Sequence, residues 1–163
     1  MSSADRAARA AQSWRRERPD LDVEAMEIIG RLNELSALLS RQLQTVFDEF
    51  GLQAGEFDVL ATLRRAGAPF RLTPTALYEA TMLSSGGMTA RLDRLERRDL
   101  IRRLPNPQDR RGTLVELTEG GLALIDRAIA PHAANETRLL AGLTAEERVG
   151  LKALLERLGA VLP

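Results

Sequence analysis

The sequence predicts a mainly α fold carrying a small β-wing, and three observations predict it. The first is the run from Leu83 to Gly120. It reads as a helix start, a basic helix, a short strand, a Pro- and Arg-rich loop, a second strand and a new helix start. The second is the helical spacing of apolar residues on both sides of that run. The third is charge: residues 61–113 hold eleven Arg against five acids, a net +6, in a 163-residue chain whose formal charge is zero. A short helix, a tight turn, a second helix and a hairpin make a winged helix-turn-helix. A helix of that kind fits the major groove of B-DNA, and a slim cationic hairpin reaches an adjacent groove.

Residues 1–18 read as a polar helix whose only large apolar residue is Trp14, and Pro19 interrupts it. From Leu21 the positions Val23, Met26, Ile29, Leu32, Leu35, Leu38, Leu39, Leu43, Val46, Phe47 and Phe50 recur at helical spacing up to Gly51. That helix is longer than a small domain needs, so part of its stripe is expected to meet another chain. A further helix is predicted from Ala54 to Ala66, with Phe57, Leu60, Ala61 and Leu63 inward and Gly67 as its stop. Phe70-Arg71-Leu72 reads as a short strand. Thr73 is then an N-cap before a first-turn proline, Pro74, and a short helix runs to about Ala80.

The next helix is predicted from about Ser85 to Arg98, capped by Ser84 or Ser85. Met88, Leu92 and Leu95 share one face, which leaves Thr89, Arg91, Arg94 and Arg98 free for another. Ser85-Gly86-Gly87 is a weak first turn whose physical use would be close approach of backbone to phosphate. Leu100–Leu104 and Leu114–Leu117 are the strand candidates, with Pro105 to Thr113 as the loop between them. Asp109 beside Arg110 and Arg111 reads as an acid that orients an arginine, and a narrow minor groove favours an inserted Arg. Thr118-Glu119 opens a helix to about Leu140 that Pro131 should kink or divide. Thr144 and Glu147 form a capping box ahead of a last helix ending near Leu162.

Composition excludes several chemistries. Hydrophobic content of 44% supports a core, and aromatics at 4% make it mostly Leu, Ala, Val and Ile. Without Cys and with one His, thiolate sites, disulfides and multi-His metal sites are excluded. No phosphate-cradling Gly loop and no flanked carboxylate pair is present, so neither catalytic residue, metal nor cofactor is expected. His132, next to Pro131, reads as exposed structure. With no apolar membrane span and no secretory leader pattern, a cytoplasmic location is expected.

Six pieces in order carry a resemblance. They are Leu72-Thr73-Pro74, Ser84-Ser85-Gly86-Gly87-Met88-Thr89, Leu92-Asp93-Arg94-Leu95-Glu96, Arg103-Leu104-Pro105-Asn106-Pro107, Asp109-Arg110-Arg111-Gly112 and Leu117-Thr118. In this the chain resembles the MarR family of bacterial transcription regulators. The resemblance implies an intertwined winged-helix homodimer, joined through its N- and C-terminal helices, on a pseudo-palindromic operator in double-stranded DNA. It implies a helical extension over 1–20, a dimerisation helix over 21–50, a DNA-binding domain over 51–118 and C-terminal dimerisation helices over 119–163. It also implies that Arg111 enters the minor groove with Asp109 holding it. The candidate DNA-contacting set is Thr73, Ser84, Ser85, Gly86, Thr89, Arg91, Arg94, Arg98, Asp109, Arg110 and Arg111.

Family members often release DNA when a small aromatic or phenolic acid binds. An N-terminal extension carrying Trp14, with Asp58 and Arg91, is similar to the urate-responsive branch, which holds an anionic purine. That branch also uses an Asn near the end of the Asp58 helix, where this chain has Ala66. In the phenolic-acid branch the positions matching Thr89 and Arg103 contact a salicylate. The candidate ligand set is therefore Trp14, Asp58, Thr89, Arg91 and Arg103. The resulting expectation is a repressor released by a small aromatic or anionic ligand. The alternative is a constitutive dimeric interaction module that uses the wing surface for a protein partner.

Overall fold

The computed structural model describes residues 4–81 and 87–162, with side chains at all of these except 4, 5, 110 and 111. The chain divides into two compact units, 1–45 and 46–163. The first contains α1 (Ala4–Glu17) and most of α2 (Glu24–Glu49). Small residues let these helices approach: a Cβ placed on Gly30 would lie 3.2 Å from that of Ala7. Ala7, Ala11 and Val23 are buried there. Ion pairs flank the contact, Arg6 to Glu34 at 3.2 Å and Arg15 to Glu27 at 3.3 Å. Glu27 also accepts from Arg31 within α2 at 2.8 Å. The Arg31 guanidinium, opposed by some desolvation and aided by Arg15, holds the Glu27 carboxyl below its ordinary pKa.

The second unit holds α3 (Ala54–Arg65), β1 (Arg71–Leu72), α4 (Pro74–Ala80), α5 (Met88–Arg97), β2 (Ile101–Asn106), β3 (Asp109–Leu117), α6 (Glu119–Leu139) and α7 (Ala145–Val161). Its sheet is antiparallel in the order β1-β3-β2. Val59, Leu60 and Leu63 of α3, Leu77 of α4, Leu95 of α5, Val115 of β3 and Ile125 and Ala128 of α6 are fully excluded from solvent. One apolar nucleus thus joins both helices of the turn motif to the wing and to α6. Each buried Leu or Ile contributes on the order of 1.5–3 kcal/mol by leaving water.

The local signals act as their chemistry dictates. Thr73 Oγ1 accepts the Ala76 amide at 3.1 Å, with Pro74 in the first turn of α4. The Thr144 hydroxyl accepts the Glu147 amide at 3.2 Å, and the Glu147 carboxylate takes the Thr144 amide at 2.7 Å. Gly51 and Gly67, which follow α2 and α3, have positive φ of 63° and 80°.

Four expectations are corrected. The helix predicted from Ser85 begins at Met88, because Gly87 precedes it in the left-handed region at φ 85°. Ser84, Ser85 and Gly86 lie outside the described residues. The wing strands run through most of the predicted loop: Pro105 pairs with Thr113 and Asn106 with Asp109, leaving only Pro107 and Gln108 at the tip. Pro105 is tolerated because β2 is an edge strand, and the register shift falls beside it, between Pro105 and Asn106. Asn106 Oδ1 accepts the Gln108 amide at 3.0 Å and closes the turn.

Of the kink or division expected at Pro131, the division does not occur: α6 is continuous across it. Pro131 and Arg127 are both exposed, so the carbonyl left without a donor meets water. His132 is not exposed structure. Its ring packs 4.6 Å from that of Phe57 and 5.3 Å from that of Phe47, and those two rings stack at 4.4 Å.

Candidate nucleic-acid interface

The recognition element is α5 with the β2–β3 wing. Leu92 and Leu95 hold α5 to the core, while Thr89, Ala90 and Arg97 are exposed. With 100° between successive residues, Ala90 and Arg97 fall opposite the buried leucines, and Thr89 lies on the flank that carries Asp93. Charge anchors α5 on two flanks. On one, Arg103 of β2 donates to Asp93 at 2.7 Å and to Glu96, and its backbone N–H reaches Glu96 at 3.2 Å. The hydrogen bond that Arg103 donates to Asp93, against some desolvation and aided by the field of Glu96, raises the Arg103 pKa, so it is a permanent cation.

On the other flank, Arg94 donates to Glu56 of α3 at 2.7 Å and to Gln53 at 3.4 Å. Arg98 donates to the Gly51 carbonyl at 2.8 Å and lies 3.6 Å from the second Glu56 oxygen. That oxygen also accepts the Gln53 amide at 3.1 Å. Arg91 lies one turn earlier, against the same end of α3: a Cβ on Gly55 would come within 2.4 Å of its Nε.

Arg94 and Arg98, read from the sequence as free, are therefore engaged inside the protein, and Arg103 is committed to two carboxylates. Glu56, Arg97 and the Arg103 clamp were missed by sequence reasoning. Arg97 could have been found, since α5 periodicity puts it opposite the leucines. The pairing of Glu56 with a residue 38 positions away has no periodic signal. Thr73 caps α4 as expected. The described structure includes Asp109 on β3, but the side chains of Arg110 and Arg111 lie outside it, and with them the Asp109–Arg111 pairing. On the sheet, Glu116 of β3 sits between Arg102 of β2, to which it is paired, and Arg71 of β1 at 3.7 Å.

The ligand candidates are distributed. Trp14 is on α1 of the first unit and 44% exposed. Asp58 lies one turn after Gly55 on α3, whose first turn carries the Arg91 side chain. A cleft of about 380 Å³ in the first unit is lined by Arg15, Glu24, Glu27, Ile28 and Arg31, and none of the five candidates lines it. Among the described residues no group of His, Cys, Asp and Glu could hold a metal ion. No helix of the described residues is long and apolar enough to cross a membrane.

Comparison with known proteins extends the geometry. A family model described as MarR family matches residues 50–112. The chain is 47% identical over 146 residues to the HTH-type transcriptional regulator PecS of Dickeya dadantii, covering 90% of this chain and 88% of that protein. Among solved structures it is similar to a mutant MarR from E. coli complexed with operator DNA: TM-score 0.71, 31% identity, 92% of this chain and 98% of that one. It is also similar to Bordetella bronchiseptica BpsR, whose DNA binding is regulated by 6-hydroxynicotinic acid. There the TM-score is 0.69 and the identity 28%, over 78% of this chain and 89% of that one.

Proposed function

We propose, from the premise that the chain belongs to the MarR family of DNA-binding winged helix-turn-helix transcriptional regulators, that it is a homodimeric repressor released from a pseudo-palindromic operator by a small aromatic or anionic ligand. The observation that carries the DNA reading is the exposed face of α5, set beside a hairpin in the segment that concentrates the chain's positive charge. An uncovered apolar surface supports the dimer. No described residue of α7 is buried, and only Val46 and Phe47 are buried in the 26-residue α2. Two copies related by a two-fold axis present two α5 helices about one turn of DNA apart. In this reading α2 and the C-terminal helices form the dimer interface, residues 51–118 bind DNA, and the 1–20 extension serves the ligand.

The wing carries the minor-groove contact in this reading, with Asp109, Arg110 and Arg111 at its end. The test is fluorescence anisotropy with a labelled duplex selected from a random-sequence pool, measured across a salt series. Each phosphate neutralised contributes about −0.9 to the log–log salt slope of affinity. Arg111→Ala is expected to weaken binding to the selected duplex by about tenfold while leaving the thermal unfolding curve in place. Unchanged affinity would remove Arg111 from the interface. Binding that is neither selective nor salt-dependent would favour the constitutive protein-interaction module.

The ligand half has its own readout. Trp14 is the sole tryptophan and stands on the extension. A ligand held by the extension is expected to change Trp14 fluorescence at the same concentration that releases the duplex. Salicylate, urate and 6-hydroxynicotinic acid are the probes, the last taken from the regulation of BpsR. Release of DNA with no change at Trp14 would place the ligand away from the extension.

A further inference from the structure

Glu56 is buried, with 4% of its surface exposed, and two arginines of another helix converge on its carboxylate. Its hydrogen bond to the Gln53 amide caps α3, which accounts for one oxygen. A cap does not require two arginines from another helix. Arg94 and Arg98 are four residues apart on α5, so they leave it on one side, and both converge on this carboxylate. Arg98 extends the grip to the Gly51 carbonyl. Across the helix, Arg103 takes Asp93 and Glu96. A helix held by leucines alone slides and rolls, because apolar contact has no direction; paired charges on opposite flanks fix its rotation.

We propose that Glu56 is a positioning residue for DNA recognition. It holds Arg94 and Arg98 so that α5 keeps one roll about its axis, with Thr89, Ala90 and Arg97 turned outward. Arg94 and Arg98 are then internal anchors, and Arg97 is the arginine that α5 offers to DNA. Among the described residues Arg97 makes no ion pair or hydrogen bond, in contrast to its neighbours Arg94 and Arg98. A rolled helix still lies in a cationic surface, so non-specific attraction survives while the register with base edges is lost. Glu56 thereby acts on specificity through α5 without touching DNA. This inference rests on the DNA-binding reading above.

The experiment titrates the selected duplex and a scrambled duplex of equal length, across salt, with the full-length chain. Glu56→Gln keeps the shape and removes the charge. Arg94→Ala removes the partner from a more exposed position and keeps the test alive should Glu56→Gln fold poorly. Each is expected to lose about tenfold in preference for the selected duplex, comparable to one lost base contact. Affinity for the scrambled duplex and the salt slope stay at wild-type values. The double variant is no worse than either single one, because both remove the same link. Arg94→Lys, which keeps a cation near Glu56, recovers part of the preference.

Two results would overturn the proposal. A salt slope reduced by about one contact in Arg94→Ala would make Arg94 a phosphate ligand. Unchanged preference in both single variants would reduce Glu56 to a helix cap. A wild-type chain without any preference between the duplexes would instead refute the DNA-binding reading, and the role of Glu56 with it.

Discussion

Replacing Gly121 with Ala lowers the melting temperature by roughly 2–12 °C, the shift that about 1–3 kcal/mol produces in a chain of this size. A Cβ at 121 would lie 1.9 Å from the Leu100 carbonyl oxygen and 2.8 Å from its carbon. Neither atom belongs to a flexible side chain. The Leu100 oxygen accepts the Thr118 amide at 3.2 Å, and the Leu100 amide donates to Leu95 at 3.0 Å. Thr118 Oγ1 donates to the Asp99 carbonyl at 2.6 Å and accepts the Gly121 amide at 3.0 Å. Moving Leu100 to admit a methyl group therefore disturbs the end of α5, the start of β2 and the cap of α6 together. Overpacking costs about 1–3 kcal/mol and a lost cap about 1. Helix propensity opposes this by roughly 1 kcal/mol, since Ala is the better helix former. Gly120 supplies the control. A Cβ there has the Asp99 oxygen at an ordinary 3.6 Å, so Gly120→Ala is expected to keep or raise the melting temperature. A Gly121→Ala protein that melts with the wild type would show that the α5–α6 junction yields freely.

That junction marks where the sequence stops being informative. Elements whose cause is local were legible. Thr73-Pro74 and the Thr144–Glu147 box act over three residues, and each shows its predicted hydrogen bond. The leucines of α5 repeat at helical spacing and are buried as that spacing requires. What the sequence concealed depends on partners brought together by the fold. Pro105 carries the residue type of a loop, yet it pairs with Thr113 because β2 is an edge strand. His132 follows the buried Ile125 and Ala128 at helical spacing, a signal the reading as exposed structure passed over, and Phe47 and Phe57 enclose it. Arginine in a basic helix looks like a DNA contact wherever it stands. Whether it faces outward like Arg97 or inward like Arg94 is decided by a carboxylate on another helix.

A glutamate at Leu154 is expected to separate the homodimer and to remove most of the affinity for the operator. The argument begins with α7 by itself. It spans 17 residues, none of them buried among the described residues of one chain. Leu151, Leu154, Leu155 and Leu158 nevertheless form an apolar stripe, with Leu154 62% exposed. A lone helix of that length is marginal in water, and one capping box adds only about 1 kcal/mol. An uncovered stripe of leucines on so short a helix implies a covering surface, and in this family reading a second copy of the chain supplies it. A carboxylate within that surface would be desolvated with no cation opposite, a cost of several kcal/mol. Sedimentation velocity should then show Leu154→Glu as a monomer at concentrations where the wild type is a dimer. The selected duplex should be bound more weakly by about 10²–10⁴-fold, because two linked half-site contacts become one. Lys152→Glu, on the polar side of α7, breaks only the exposed pair with Glu156 and should leave both properties unchanged. A Leu154→Glu chain that remains dimeric would move the interface off α7. A monomer that retained wild-type operator affinity would mean that one copy reads the DNA alone, and the operator would then need no symmetry.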